Sequence, residues 1–383
     1  MVKNRQLGIF LAIPFVLLLA VEVVAAPAVP RVFTEGKCEG GELRYINDIP
    51  VLIVSGTPEE IGGQKALLTT DAVKKLIEYP KRLLERANRR ERIPKYLEMC
   101  RALVPQLPDD HRKELLAFGE QSGVNRDLGL LGNMIVDVYR GSIACSSLVV
   151  DAEHSATNGP LFGRNLDFYT LGFLDKYTLV TVHRPQGKHA FASVGFPGLL
   201  GCVSGINDAG LAIAVHEVFM ARDGAAIYNP KGVPYTFCFR RILEECSTVE
   251  EAEKLLRSME RTTILSLAVC DTRTSAVFEM TPKTVAVRHG RDGIMACTNH
   301  FRNDELAVVT WCPRYQRLVQ ARTVEKVSID DLAQKLDEVN MGRLTAQTMI
   351  FEPASLKLHL AFGSCPSSAL PMKLLDLAPL FKQ

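Results

Sequence analysis

The sequence predicts an α+β fold built in layers. Two observations carry that reading. Residues 55 to 140 are mainly helical in pattern, and from Cys145 onward short apolar runs alternate with turn signals and separate helices. Strand blocks joined by antiparallel-type turns, with helices set apart from them, pack as sheets covered by helices. The composition agrees with one large folded body: 383 residues, 47% hydrophobic and 23% charged, which is ordinary for a globular chain with a full core.

In chain order, a Pro-containing connection (Ala26 to Pro30) and a short segment lead to a strand at Leu52-Ile53-Val54. Thr57-Pro58-Glu59-Glu60 then offers an N-cap, a proline at the first helical position and a capping-box glutamate. Helical patterning follows through Tyr79, again from Pro80 to about Leu103, and again from Asp110 to Glu120. Strands are expected at Tyr177 to His183, His189 to Val194, Gly201 to Ile206 and Leu211 to His216, with turns at Arg184-Pro185-Gln186-Gly187 and Asn207-Asp208-Ala209-Gly210. Ser247 or Thr248 caps a helix running to about Met259. Strands resume at Ile264 to Cys270, Ala276 to Met280 and Val285 to Arg288; a helix starts near Ser328, and a last strand pair spans Thr348 to Phe362.

Lys3 and Arg5, an apolar run from Leu7 to Val21, and the small residues Ala25 and Ala26 have the three-part layout of a secretory signal peptide over residues 1–26. Cleavage after Ala25 is favoured over Ala26, which would leave Pro27 just beyond the cut. Glu22 and Pro14 argue against a stable spanning helix. The expectation is an exported protein, periplasmic or secreted, whose membrane contact is limited to an uncleaved N-terminal anchor. Net charge of +2 gives no footprint for nucleic acid, and the basic cluster from Lys81 to Arg92 reads as a solvated helix face. Most of the ten cysteines sit in apolar runs, where cysteine is a small hydrophobe. One bridge among Cys38, Cys100, Cys312 and Cys365 stays open. No Cys/His spacing fits zinc, so neither metal nor cofactor is expected.

The stretch from Cys145 to Phe168 stands out. An apolar strand headed by Cys145 turns at Thr157-Asn158-Gly159-Pro160 and returns as a strand in which Arg164, Asn165 and Asp167 interrupt Leu161, Phe162, Leu166 and Phe168. Pairing about a midpoint near residue 156 puts Asp167 roughly opposite Cys145, within a residue or two. Ionisable groups on an apolar strand are costly to bury unless they pair or work. A thiol, a guanidinium and a carboxylate at one hairpin end therefore form a site candidate.

Cys145 with Gly163-Arg164-Asn165-Leu166-Asp167 resembles the start of the mature chain in cysteine N-terminal nucleophile (Ntn) hydrolases. The nearest group is that of the penicillin acyltransferases; acid ceramidase, N-acylethanolamine acid amidase and the choloylglycine hydrolases are more distant. The resemblance runs from about Ile53 to Pro379, through Gly205-Ile206-Asn207-Asp208-Ala209-Gly210-Leu211, Thr298-Asn299-His300 and Arg314-Tyr315. It implies a four-layer αββα sandwich with a mainly helical N-terminal segment. Residues 27–144 would be a light chain and 145–383 the catalytic segment, self-cleaved at Ala144-Cys145 and retained in one compact domain. The family's cut is often preceded by glycine; here Ala144 stands there.

A thiol is mostly protonated at neutral pH and needs a base. If Cys145 becomes a chain terminus, its own α-amino group, with a pKa of about 7.7–8.0, supplies one. By resemblance, Asp167 orients that amine, Arg164 holds thiolate and carboxylate, Asn299 stabilises the oxyanion and Arg314 contacts substrate. A second oxyanion asparagine usually follows the Gly-x-Asn-x-x-Gly-Leu turn. His216 or Glu217 stands there instead, and His216 is the candidate replacement donor. The expected partner is a small-molecule amide or acyl substrate, hydrolysed at a linear C–N bond or used for acyl transfer through a Cys145 thioester. Two alternatives stay open: a papain-like thiol hydrolase pairing Cys145 with His300 or His216, and an inactive binding protein of the same fold.

Overall fold

The computed structural model describes residues 30–141 and 143–382; the expected signal peptide lies outside them. An N-terminal meander forms β1 (Gly36–Cys38), β2 (Gly41–Ile46) and β3 (Ile49–Gly56). The two hairpin strands β1 and β2 are absent from the sequence reading. The turn from β2 into β3, at Asn47 and Asp48, uses left-handed φ values of 50° and 58°, which suits a tight hairpin turn. Five helices follow: α1 (Pro58–Leu76), α2 (Tyr79–Arg86), α3 (Ile93–Leu103), α4 (Asp109–Ser122) and α5 (Arg126–Val138). The capping box at Thr57 and Glu60 is present as expected.

The central hairpin is β4 (Ile143–Val150) and β5 (Leu161–Phe168). Four strands continue: β6 (Leu179–Pro185), β7 (Phe191–Gly195), β8 (Ser204–Asn207) and β9 (Ala212–Glu217). After α6 (Tyr235–Glu245) and α7 (Val249–Ser258) come β10 (Leu265–Cys270), β11 (Ser275–Met280), β12 (Val285–His289) and β13 (Ile294–Cys297). The chain ends with α8 (Pro313–Leu318), α9 (Ile329–Asp337), β14 (Thr345–Glu352), β15 (Lys357–Phe362), β16 (Lys373–Asp376) and a terminal turn of helix.

Ten strands form one sheet in the order β1-β2-β3-β6-β7-β8-β9-β10-β11-β12, and six form another in the order β13-β4-β5-β14-β15-β16. All pairings are antiparallel except β3 with β6. The two sheets face each other across one apolar layer: Val51, Val180 and Ala214 from the larger meet Val149, Phe162, Met349 and Phe351 from the smaller. The outer face of the larger sheet (Ile213, Val215, Leu267) packs on α1, α4, α5 and α6 through Val73, Phe118, Met134 and Ile242. The outer face of the smaller sheet (Leu148, Leu161, Ile294) packs on α8 and α9 through Leu318, Leu332 and Leu336. The architecture is therefore helix, sheet, sheet, helix.

Both segments flanking Ala144 build this core, and β3 places the N-terminal segment directly against β6. That segment supplies three strands as well as five helices, more sheet than its helical pattern suggests. The ten cysteines are all free, so no bridge joins Cys38, Cys100, Cys312 or Cys365.

Candidate active site

The β4–β5 register fixes the site. Cys145 pairs with Leu166 and Ala144 with Asp167, one residue from the expected alignment. The connection is a ten-residue loop between Val150 and Leu161 instead of a tight turn at Asn158-Gly159. Period-two alternation then sends side chains to opposite faces. Arg164, with Phe162, points between the sheets, and Asn165 and Gly163 point to α9. There Asn165 donates to the Leu336 carbonyl at 2.7 Å.

Arg164 is fully buried and carries no ion pair among the described residues. Its Nη2 donates to Cys145 Sγ at 3.3 Å and its Nη1 to the Val215 carbonyl at 2.6 Å, so it spans from the thiol to β9 in the opposite sheet. Arg314, at the start of α8, reaches the same place from the other side. Its Nη1 donates to the Cys145 carbonyl at 2.8 Å and to Asp167 Oδ2 at 3.4 Å, and its Nη2 donates to Asn299 Oδ1 at 2.8 Å. Asn299, just past β13, accepts the Cys145 N–H at 2.9 Å. Asp167 also accepts from Thr345 Oγ1 at 2.6 Å. The fold thus gathers Cys145, Arg164, Asp167, Asn299 and Arg314 from four elements. Thr345 is a supporting group that no local motif announces.

Electrostatics here are set by burial. The Cys145 thiol is pushed up to about 11 by burial, which outweighs the pull of the Arg164 guanidinium. Asp167 is likewise raised to about 6 by burial, against the opposing Thr345 hydroxyl and the Arg314 charge. Burial thus favours the neutral thiol.

Glu217 and His216, adjacent on β9, have different surroundings. The Glu217 carboxylate accepts the backbone N–H of Gly141 and of Ile143, each at 3.0 Å, and pairs with Arg140 Nε at 3.3 Å. Arg140 is itself fixed on the carbonyls of Val218 and Ile264 and on Thr263 Oγ1. Asn299 Nδ2 donates to the Glu217 carbonyl at 2.8 Å. The strap just before Cys145 is thus held by Glu217, and Arg140, which pairs with it, was not singled out by the sequence reading. Its only sequence signal is a charge closing a helix beside the expected cut.

His216 lies on the face of β9 that looks between the sheets, fully buried, with neither ring nitrogen hydrogen-bonded. Burial first, then the Arg164 and Arg314 charges, push its pKa well below the usual histidine value. Neither His216 nor His300 hydrogen-bonds Cys145 among the described residues, and a papain-like pair is not formed.

Beside the thiol, α1, α2, α5 and the segment 196–199 enclose an apolar cavity of about 130 Å³. Ile143 and Leu166, the latter paired with Cys145, form part of its wall, with Phe168, Val136 and Phe196. Among the described residues no cluster of His, Cys, Asp and Glu is arranged to hold a metal, and no helix is long and apolar enough to cross a membrane.

The profile of the acyl-coenzyme A:6-aminopenicillanic acid acyl-transferase family matches residues 155–335. Over that stretch the chain is similar to the penicillin acyltransferase family. The matched span holds Arg164, Asp167, Glu217, Asn299 and Arg314, and begins ten residues after Cys145. No curated protein matches significantly.

Among solved structures, the N-acylethanolamine-hydrolyzing acid amidase ortholog of Caenorhabditis elegans is 15% identical with a TM-score of 0.44, over 55% of this chain and 93% of that one. Conjugated bile acid hydrolase from Clostridium perfringens is 16% identical with a TM-score of 0.41, over 61% and 93%. Penicillin V acylase from Agrobacterium tumefaciens is 15% identical with a TM-score of 0.43, over 62% and 88%. The fold assignment itself rests on the layers and registers described above.

Proposed function

We propose that this chain is an exported amide hydrolase or acyltransferase whose nucleophile, Cys145, is released by self-cleavage at Ala144-Cys145. The observation that carries the reading is the grip on one residue. Arg164 contacts the Cys145 thiol, Asn299 its N–H and Arg314 its carbonyl. Three polar side chains committed to one buried cysteine are more than a packing role requires.

In the first reaction the thiol sulfur attacks the Ala144 carbonyl carbon, the C–N bond to Cys145 breaks, and the freed nitrogen takes the thiol proton. Water then hydrolyses the resulting thioester. The new α-amino group lies where Asn299 accepts the present amide, and it can now receive the thiol proton that burial otherwise retains. A substrate acyl group is transferred to sulfur, the amine departs with a proton, and water or a second nucleophile completes the turnover. The cavity lined by Leu166 and Ile143 supports an apolar acyl group, and hydrolysis is the favoured outcome because water is always at hand.

Intact-mass measurement of purified protein tests this. Two chains separating between Ala144 and Cys145 are expected, with a single uncut chain for Cys145→Ala and slow cutting for Cys145→Ser. An active protein that stays whole, or turnover that survives Cys145→Ala, would overturn the assignment.

A further inference from the structure

The bond between Ala144 and Cys145 is gripped on both sides. Asn299 and Arg314 fix the residue after it, through the Cys145 N–H and carbonyl. The residues before it hang on Glu217, whose two carboxylate oxygens take the N–H groups of Gly141 and Ile143 at 3.0 Å each. A carboxylate accepts at both oxygens; once protonated, one of them becomes a donor and faces an N–H. Ionisation is costly at this depth, because the Glu217 side chain is only 4% exposed.

Arg140 supplies a facing cation. Its Nε lies 3.3 Å from Glu217 Oε1. Its outer nitrogens donate to the Val218 carbonyl, to the Ile264 carbonyl at 2.6 Å and to Thr263 Oγ1 at 3.0 Å. All four partners follow the cut in sequence, so the guanidinium is fixed by what becomes the other chain. Gly141, the next residue, has a φ of 97°, which glycine adopts without strain, and the strap turns there toward β4. The other ionisable groups near the pair are the Tyr139 and Tyr235 phenols, the Cys145 thiol and the Asp137 carboxyl. None of these four carries a positive charge. Burial raises Asp137 to about 7, so it too titrates in the range where Glu217 is to be tested.

We propose that Arg140 is a positioning residue for self-cleavage. Its guanidinium keeps the Glu217 carboxylate ionised, and that carboxylate holds Gly141 and Ile143 so that the Ala144 carbonyl stays within reach of the Cys145 thiol. This rests on the self-cleavage reading above.

The test uses full-length precursor made by cell-free synthesis and moved into buffer near pH 5.5 or near pH 8.5. The appearance of the two chains is followed by intact mass. Arg140→Met should cut about 10–100-fold more slowly than wild type at the acid value, the scale of a small misplacement of reacting atoms. At the alkaline value the carboxyl ionises without help, and the deficit should shrink to less than about tenfold. Arg140→Lys should recover part of the rate at both. Glu217→Gln offers one acceptor and cannot ionise, so it should be slow at both values, as should the double variant Arg140→Met, Glu217→Gln. A deficit in Arg140→Met that is absent, or equal at the two values, overturns the role of the charge. Alkaline recovery that persists in the double variant belongs to Asp137 and overturns it as well. Glu217→Gln cutting at the wild-type rate overturns it even where Arg140→Met fails to fold. All three results leave self-cleavage standing, whereas a wild-type chain that stays whole removes that reading and this inference with it.

Discussion

Asn299 makes three hydrogen bonds in the site: it accepts from Cys145 N and Arg314 Nη2 and donates to the Glu217 carbonyl. Asn299→Ala should lower turnover by about 10²–10³, the usual cost of losing one oxyanion donor. A loss confined to melting temperature, with turnover unchanged, would make Asn299 a purely structural link. Asp167 gives a pH signature. Its pKa is raised to about 6 by burial, so the folded chain takes up its proton before the unfolded chain does. Its contribution to stability is present at acid pH and lost as pH rises through 6. In the uncut Cys145→Ala background, Asp167→Asn should therefore raise the melting temperature more at pH 8 than at pH 4.5. An equal effect at both values would mean that Arg314 and Thr345 fully offset the burial.

The hairpin shows why its motif has the residues it does. Gly163 faces α9, and a Cβ there would stand 2.9 Å from both Cγ and Cδ1 of Leu332 and 3.0 Å from Leu336 Cδ1. The glycine is thus a packing requirement of the helix that covers β5. Gly163→Ala should cost about 1–3 kcal/mol, as overpacking does, read as a lower denaturation midpoint. An unchanged midpoint would show that α9 shifts freely. The α9 start is set locally, since Ser328 and Asp331 form a capping box.

Across the whole molecule, a buried charge network ties the two prospective chains together. Glu114 of α4 accepts from Lys65 of α1 and from Arg240 of α6, each at 2.6 Å. Glu244 accepts from Arg240 at 2.7 Å and lies 2.9 Å from His111 Nε2 and 3.0 Å from Lys188 Nζ. Lys65, His111 and Glu114 precede Ala144; Lys188, Arg240 and Glu244 follow it. With the β3–β6 pairing, this network should keep the cut chains associated. Glu114→Ala would leave two buried cations without their shared partner, at a cost of about 3–5 kcal/mol. Native mass spectrometry of the cut variant should then show free light chain, and intact complexes as stable as wild type would assign the association to the sheets alone.

Local features settled much of this. The hairpin with its cysteine, arginine and aspartate, the caps at Thr57, Thr248 and Ser328, and the alternation of β6 to β12 were legible because each depends on neighbours in sequence. Neither α6, which is buried on nearly every side and holds Arg240 and Glu244 inside, nor the short α8 was read as a helix. The site's second half was also closed to sequence reading. That Glu217 holds the strap while His216 turns inward is a matter of which face of β9 each occupies. Arg140 and Thr345 meet the site only because strands distant in sequence become neighbours. The sequence determined the local frame of Cys145; the stacking of two sheets decided which charges surround it, because burial and contact across 50 to 180 residues of chain exist only once the layers close.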